Sequence, residues 1–355
     1  MFKSRYLGTL LVLVALIAGA LPLSVTAQAP GPDENTLVIA QATDAETMDP
    51  AQISSRQEAN IMYHIFATLY EIDDFGAVVP YLAKDYRLSE DGTEITFTLN
   101  EGLTCHDGEP LTAEDVVYSF ERAADPANGF TGNTPGFVFA SIAYAGARAE
   151  SDLEATIILE RYQSIALGLI SEVGIHCKDS YEAMSLEEAQ TNPIGSGPYK
   201  FIEWVQNDYI LLEKWYEFTL REGNFDTVVW RVIPEASTRT AELIAGNVDI
   251  ITNVPPDQHE AVNGSDTAAV VPVEGLRRIY VGINFTDNFT DECAEAVKKT
   301  EVRVALQYAV DVPTICQALL GVECERPTGP VNSPHNNPDL TPYPFDPAKA
   351  EELLD

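Results

Sequence analysis

The apolar and polar positions of this chain change period several times, and each change marks an element. Leu37-Val38-Ile39-Ala40 is a short unbroken apolar run that suits a buried strand. From Glu58 to Tyr70, Ile61, Met62, Ile65, Phe66 and Leu69 recur at helical spacing and predict one amphipathic helix with its apolar face in a core. Over 94–99, Ile95, Phe97 and Leu99 alternate with Thr96 and Thr98, the period-two signature of a half-buried strand behind the turn signal Asp91-Gly92. Past the turn at His106-Asp107-Gly108, Thr112 is placed to cap a helix. Glu114 and Asp115 sit in its first turn, at the positive end of the helix dipole, and Val116, Val117 and Phe120 form its buried face.

Residues 125–147 are rich in Gly, Asn, Pro and aromatic side chains and predict a long exposed loop of the kind that carries binding contacts. Ala155–Leu159 reads as a strand, followed by an apolar stretch from Ile165 to Ile175. The dense turn cluster Asn192-Pro-Ile-Gly-Ser-Gly-Pro198 suggests a change of domain, and Tyr199–Trp204 and Tyr209–Glu213 read as paired strands behind it. Val228–Val232 is a further strand. Ser237 is expected to cap a helix bearing Ala241, Leu243 and Ile244, which Gly246 ends before the strand Val248–Ile251. Such strand-helix-strand alternation predicts an α/β fold. Thr300 starts a helix with Val302, Ala305, Leu306 and Ala309 inside, Pro313 begins another, and Gly321 stops it. Asp346-Pro347 opens a last helix that reaches Asp355 in barely two turns, so the sequence reads as cut inside an element.

The first residues change the compartment. Lys3 and Arg5 precede an apolar run from Leu7 to Ala20, and Val25-Thr26-Ala27 supplies small residues before Gln28. We read 1–27 as a signal peptide and 28–35 as a Pro/Gly linker; Pro22 closes the apolar run short of the ~20 residues that span a bilayer. With no cysteine near the cleavage point, a lipid anchor is not expected, and an extracytoplasmic, periplasmic location follows. A length of 355 residues, 45% of them hydrophobic, suits more than one core. The formal charge of −34 argues against nucleic acid as a partner, since phosphate neutralisation needs clustered Lys and Arg.

The five cysteines, Cys105, Cys177, Cys293, Cys316 and Cys324, are an odd number, so at least one lacks a partner within the chain. Cys105 and Cys177 can form a disulfide, remain two separate buried thiols, or join His106 and His176 as metal ligands. Neighbouring residues on extended chain point to opposite sides, which weighs against convergence on one ion. Cys324 can pair with Cys293 or Cys316. The chain carries no Gly-x-Ser-x-Gly, His-Glu-x-x-His, Gly-x-x-x-x-Gly-Lys or Gly-x-Gly-x-x-Gly pattern. His64 lies on a helix as a packing residue, and His106, His259 and His335 stand beside no evident nucleophile. No catalytic residue, metal or cofactor is therefore assigned. An exported hydrolase or metalloenzyme built on Cys105, His106, His176 and Cys177 is the competing class.

Four separated stretches carry a resemblance. They are Asp91–Leu99 with His106–Ser119; Gly195-Ser-Gly-Pro-Tyr-Lys-Phe201; Val232–Arg239 with Ala245-Gly-Asn-Val-Asp249; and Val302–Asp311 with Gly329-Pro330 and Tyr343–Leu354. In order and spacing the chain resembles the family 5 solute-binding proteins of bacterial ABC importers, the dipeptide, oligopeptide and nickel receptors. The resemblance implies a two-lobed, periplasmic-binding-protein-like α/β fold of type II, in its three-domain peptide-receptor variant, with the second lobe truncated. Domain I would cover 34–66 and 192–277, domain II 67–191, and an incomplete domain III would begin at 278. The implied protein is a monomer that is not an enzyme, binds a peptide between its lobes and delivers it to ABC-transporter permease subunits. Nickel, a metal chelate or an oligosaccharide is the alternative ligand. The loop after Asp49-Pro50 matches the segment that lies along the ligand backbone and nominates Ser54, Ser55 and Arg56; Phe137, Asn253 and Arg277 match other wall positions.

Overall fold

In the order of the chain, β1 (Thr36–Gln41) leads through a long loop to α1 (Arg56–Ile65), and a hairpin of β2 (Tyr70–Ile72) and β3 (Val78–Pro80) follows. Next come β4 (Ala83–Leu88), β5 (Glu94–Leu99), α2 (Ala113–Ala124), β6 (Tyr144–Ser151) and β7 (Glu154–Leu159). The short helices α3 (Ala166–Ile170), α4 (Lys178–Ala183) and α5 (Leu186–Ala189) return the chain to β8 (Tyr199–Val205), β9 (Tyr209–Lys214) and β10 (Thr227–Val232). Then α6 (Ala236–Ile244), β11 (Ile250–Ile251), α7 (His259–Asn263), α8 (Glu292–Lys298), α9 (Thr300–Ala309), α10 (Val312–Leu320) and α11 (Pro347–Leu354) complete it. This computed structural model describes residues 29–273, 279–284, 292–324, 326–329 and 336–355. The signal-peptide reading of 1–27, Arg277 and His335 lie outside the described residues.

The architecture is mixed α/β. A five-stranded sheet has the order β11-β1-β10-β9-β8, with β1 parallel to both β10 and β11 and the remaining pairs antiparallel. A four-stranded antiparallel sheet has the order β4-β5-β7-β6. Each sheet backs its own core. On the first, Ile61, Met62 and Ile65 of α1 pack with Ile39, Ile210, Leu212, Val228 and Trp230. On the second, Val116 and Phe120 of α2 pack with Ile95, Phe97, Leu99, Ala155 and Ile157. Each such fully buried side chain contributes roughly 1.5–3 kcal/mol, so helix and sheet hold each other in place.

Thr112 caps α2 as expected, and Asp115 completes a reciprocal capping box. Other expectations fail for identifiable reasons. The helix predicted to run to Tyr70 stops at Ile65, because the Ile65 carbonyl accepts from Gly197 N at 2.8 Å and the next residues leave as extended chain. Phe66 and Leu69 stay buried, one in each core. Segment 125–147 is not an exposed loop. It holds a π-helical turn (Thr134–Phe139), a further turn at Ala140–Ile142 and the first half of β6. Val138 and Ile142 are buried, and Phe139 stacks between Phe120 and Tyr144 with ring centroids 5.7 and 4.4 Å away. Phe130, Phe139 and Tyr144 pack in or against a core, where composition had suggested a loop. The cap of α6 is Glu235, whose carboxylate accepts from Ser237 N; Ser237 itself lies inside the helix. In α9 only Ala305 of the four expected interior residues is buried, while Leu306 remains 44% exposed. Gly321, at φ 66°, ends α10 where only a left-handed residue continues the turn.

Candidate functional site

Parallel β1, β10 and β11 end on the same edge, with Gln41 level with Val232 and Ala40 level with Ile251. Open α/β sheets bind ligands beyond such an edge, where the loops diverge. Three loops leave it here: 42–55, the turn at Ile233–Glu235, and Thr252–Val254.

The first loop is fastened along its length. Asp44 accepts from Trp204 Nε1 at 3.0 Å and from Asn207 N at 2.7 Å, and Met48 N donates to the Gln190 carbonyl at 2.8 Å. At its end Glu58 Oε2 accepts from Ser54 N, Ser55 N and Ser55 Oγ, each at 2.9 Å, while Ser55 Oγ accepts from Glu58 N at 3.2 Å. Ser55 is thus the N-cap of α1, and its hydroxyl is committed to the cap. The pattern Ser55-Arg-Gln-Glu58 is a capping box legible in sequence. Ser54 and Arg56 are exposed.

In the middle of the loop, Asp49 is fully buried and forms a two-pronged ion pair with Arg122 of α2, at 2.6 and 3.0 Å. His176 Nε2 stands 3.4 Å from Asp49 Oδ1, and Ala51 N donates to the same oxygen at 3.0 Å. Burial favours a neutral Asp49, but donation from His176 and the Arg122 guanidinium outweigh it and hold the carboxyl well below the usual carboxylate range. Burial likewise pushes the His176 imidazole down, against the pull of Asp49. The guanidinium lies over Phe130 and Tyr181, 4.8 and 5.3 Å from their ring centroids. This network ties the loop of the first sheet to the core of the second, and no pattern in the sequence announces it.

Segment 131–137 also meets the loop. Asn133 N donates to the Ile53 carbonyl at 2.8 Å, and its side-chain amide donates to Glu172 Oε2 at 3.0 Å. A Cβ on Gly132 would lie 2.6 Å from Gln52 Cα, so the two backbones touch as only glycine permits. Burial raises the Glu172 carboxyl above its ordinary value, opposed by Asn133 and by the charge of Arg56; burial and the Glu172 charge raise Tyr63. Phe137 is 55% exposed on this segment. The contacts of Gln52 and Ile53 with Gly132 and Asn133 bring the loop that ends at Ser54 and Ser55 alongside the segment that carries Phe137. Asn253 is exposed, with a left-handed φ of 58°, on the separate loop after β11. Asn133, Glu172 and Tyr63 were not singled out in the sequence.

Cys105 and Cys177 are joined in a disulfide with Cα atoms 5.9 Å apart, and Cys316 is joined to Cys324, leaving Cys293 free and exposed. The bond withdraws both sulfurs from a Cys/His metal site. His106 is occupied on both ring nitrogens, by the Gly197 carbonyl at 2.9 Å and Gly195 N at 3.2 Å, and burial lowers it to about 4. It is held neutral as a structural bridge, and Cys105, His106, His176 and Cys177 do not converge as a Cys/His metal site. Among the described residues no group of three or more His, Cys, Asp or Glu is placed to hold a metal.

Residues 77–355 match the family described as bacterial extracellular solute-binding proteins, family 5 Middle. The chain belongs to this family. The glutathione-binding protein GsiB of Pectobacterium atrosepticum is 26% identical over 321 residues, which cover 89% of this chain and 60% of that protein. Among solved structures, HbpA2 from Haemophilus parasuis has a TM-score of 0.76 at 26% identity and matches 90% of this chain and 66% of its own. The ABC transporter substrate-binding protein CtaP from Listeria monocytogenes has a TM-score of 0.74 at 25% identity, matching 91% and 65%. The chain thus spans about 60% of the length of the curated relatives it matches. Among the described residues no helix is long and apolar enough to cross a membrane.

Proposed function

We propose that this family 5 member is an extracytoplasmic receptor of an ABC importer that binds a peptide-like solute and presents it to a membrane permease. It does no chemistry on the ligand. The observation that carries the reading is the fastened loop 42–55 at the common end of three parallel strands, which displays Ser54 and Arg56 beside the segment bearing Phe137. A peptide laid there would meet backbone polar groups and one aromatic face, which gives affinity with tolerance of side chains. Asn253 and Arg277 are proposed as further wall residues. The name of the GsiB relative supports a small peptide as cargo.

The proposed organisation follows the family: domain I over 34–66 and 192–277, domain II over 67–191, domain III from 278. A monomer exported by a cleaved leader closes about a hinge on its ligand, because the closed state gains contacts from both sides. The test is a thermal-shift screen of the purified chain against di- and tripeptides, glutathione and nickel chelates, with Arg56→Ala and Phe137→Ala in parallel. A peptide that raises the parent's Tm and raises neither variant's supports the reading. If only a nickel chelate stabilises the chain, the peptide cargo is wrong; if nothing does, so is the receptor assignment.

A further inference from the structure

A cavity of about 720 Å³ lies between the end of α2 and the helices α4 and α5, and none of Ser54, Arg56, Phe137 and Asn253 lines it. That volume is within the range of small-molecule sites. Tyr118, Glu121, Arg122 and Asp125 reach it from α2 and its C-cap, at intervals of three and four that put them on one helix face. The buried side is braced: Arg122 Nη1 and Nη2 donate to Asp49 at 3.0 and 2.6 Å, its guanidinium lies over the Tyr181 ring, and Tyr181 meets His176 edge-on at 4.6 Å. The buried Asp49 thus cancels the one cation among the described lining residues. The polar atoms left over are acceptors. Glu121 Oε1 accepts from the Tyr144 hydroxyl and Ala147 N, and Asp125 Oδ1 accepts from Ala127 N, so Glu121 Oε2 and Asp125 Oδ2 keep no partner among the described residues. The Asn128 amide donates to the Arg122 carbonyl at 2.8 Å and leaves Asn128 Oδ1 without a donor. The carbonyl end of the twelve-residue α2 lies at the same cavity and adds its negative pole. Half-buried Tyr118 and Met184, with exposed Leu186, supply the apolar surface.

We propose that this cavity is a second binding site, for a small organic amine. The ammonium is held by Glu121, Asp125 and the Asn128 side-chain carbonyl, and its hydrocarbon or aromatic body lies against Tyr118, Met184 and Leu186. The inference goes beyond the receptor reading and does not depend on the cargo. A carboxylic acid of the same shape is rejected, because it brings a further negative charge to two carboxylates and a helix C-terminus with no unpaired cation to meet it. A neutral isostere lacks the charge-assisted hydrogen bonds. A bare metal ion is not selected either, since among the described residues no group of three or more His, Cys, Asp or Glu is placed to hold one. The charge of −34 draws cations of every kind to this chain. The cavity adds selection among them, for a cation with an apolar body.

The experiment titrates phenethylammonium, 3-phenylpropionate and methylammonium into the isotope-labelled 355-residue chain and follows amide resonances by NMR, so that weak binding also registers. Phenethylammonium is expected to move resonances within 118–128 and 181–189, and to bind about tenfold or more tightly than the acid of like shape or the amine without a body. Glu121→Gln/Asp125→Asn keeps the acceptors that Tyr144, Ala147 and Ala127 use and removes both charges. It should weaken phenethylammonium about tenfold with Tm unchanged. Glu90→Gln/Glu101→Gln removes the same charge from exposed residues that do not line the cavity, and should leave the affinity as it is. Equal binding of the three probes, equal losses in the two double variants, or shifts that leave both segments unmoved would each overturn the proposal, as would no binding at all.

Discussion

Replacing Arg122 by methionine keeps most of the side-chain volume and deletes the charge that faces Asp49. The carboxylate is fully buried and Arg122 is only 7% exposed, so water cannot take the lost partner's place. Asp49 would retain His176 at 3.4 Å and Ala51 N at 3.0 Å, neither of which equals a two-pronged guanidinium. Breaking a buried pair on one side costs about 3–5 kcal/mol, much of it the cost of the stranded charge. In the parent, Asp49 titrates below its unfolded value of about 3.9, so its contribution is complete above that value and is lost only as pH falls through the depressed folded one. Between pH 5 and 8 the pair is flat. In Arg122→Met burial is opposed only by His176 and the Ala51 N–H, so the Asp49 carboxyl titrates higher than in the parent and the deficit shrinks as pH falls through that range. Urea unfolding followed by tryptophan fluorescence at pH 7 and pH 5 measures both effects. The double variant Asp49→Asn/Arg122→Met should cost less than the sum of the singles. A deficit below about 1 kcal/mol at pH 7, or one larger at pH 5 than at pH 7, refutes the reasoning.

His106 gives a second acid dependence, of opposite origin. Its folded pKa is about 4 against about 6.5 unfolded, so stability is full above pH 6.5 and falls by about 2 kcal/mol on going from pH 7 to pH 5. Titration of His106→Gln by the same unfolding assay should show that much less pH dependence, and an unchanged slope would count against a buried neutral imidazole. Cys105→Ser/Cys177→Ser should lower stability by about 2–5 kcal/mol under non-reducing conditions, since the bond closes a separation of 72 residues; equal urea midpoints would mean the bond does not constrain the unfolded chain. In Gly195→Ala the new methyl would run into the Ile65 carbonyl, a backbone group that cannot turn aside. A loss of about 1–3 kcal/mol is expected by thermal unfolding, and a parent-like Tm would place the two segments further apart.

The sequence by itself determined the local elements and the family. Unbroken or alternating apolar runs gave β1, β5, β7 and β10 their places because a strand's burial is written at period two or as a solid block. Thr112, Pro313, Gly246 and Gly321 marked helix ends because capping is chemistry between residues close in the chain. Tertiary structure decided the rest. Ile65 ends its helix because Gly197 N, more than a hundred positions away, donates to its carbonyl, with Gly195 packed close against the same group. Segment 125–147 became helix and strand because Phe120 and Tyr144 gave Phe139 a place to stack. The same holds for the Asp49, Arg122 and His176 network and for the contacts of Asn133 with Ile53 and Glu172. Each joins groups from separate stretches, and what fixes them, burial and charge at short range, acts between residues that only the folded chain makes neighbours.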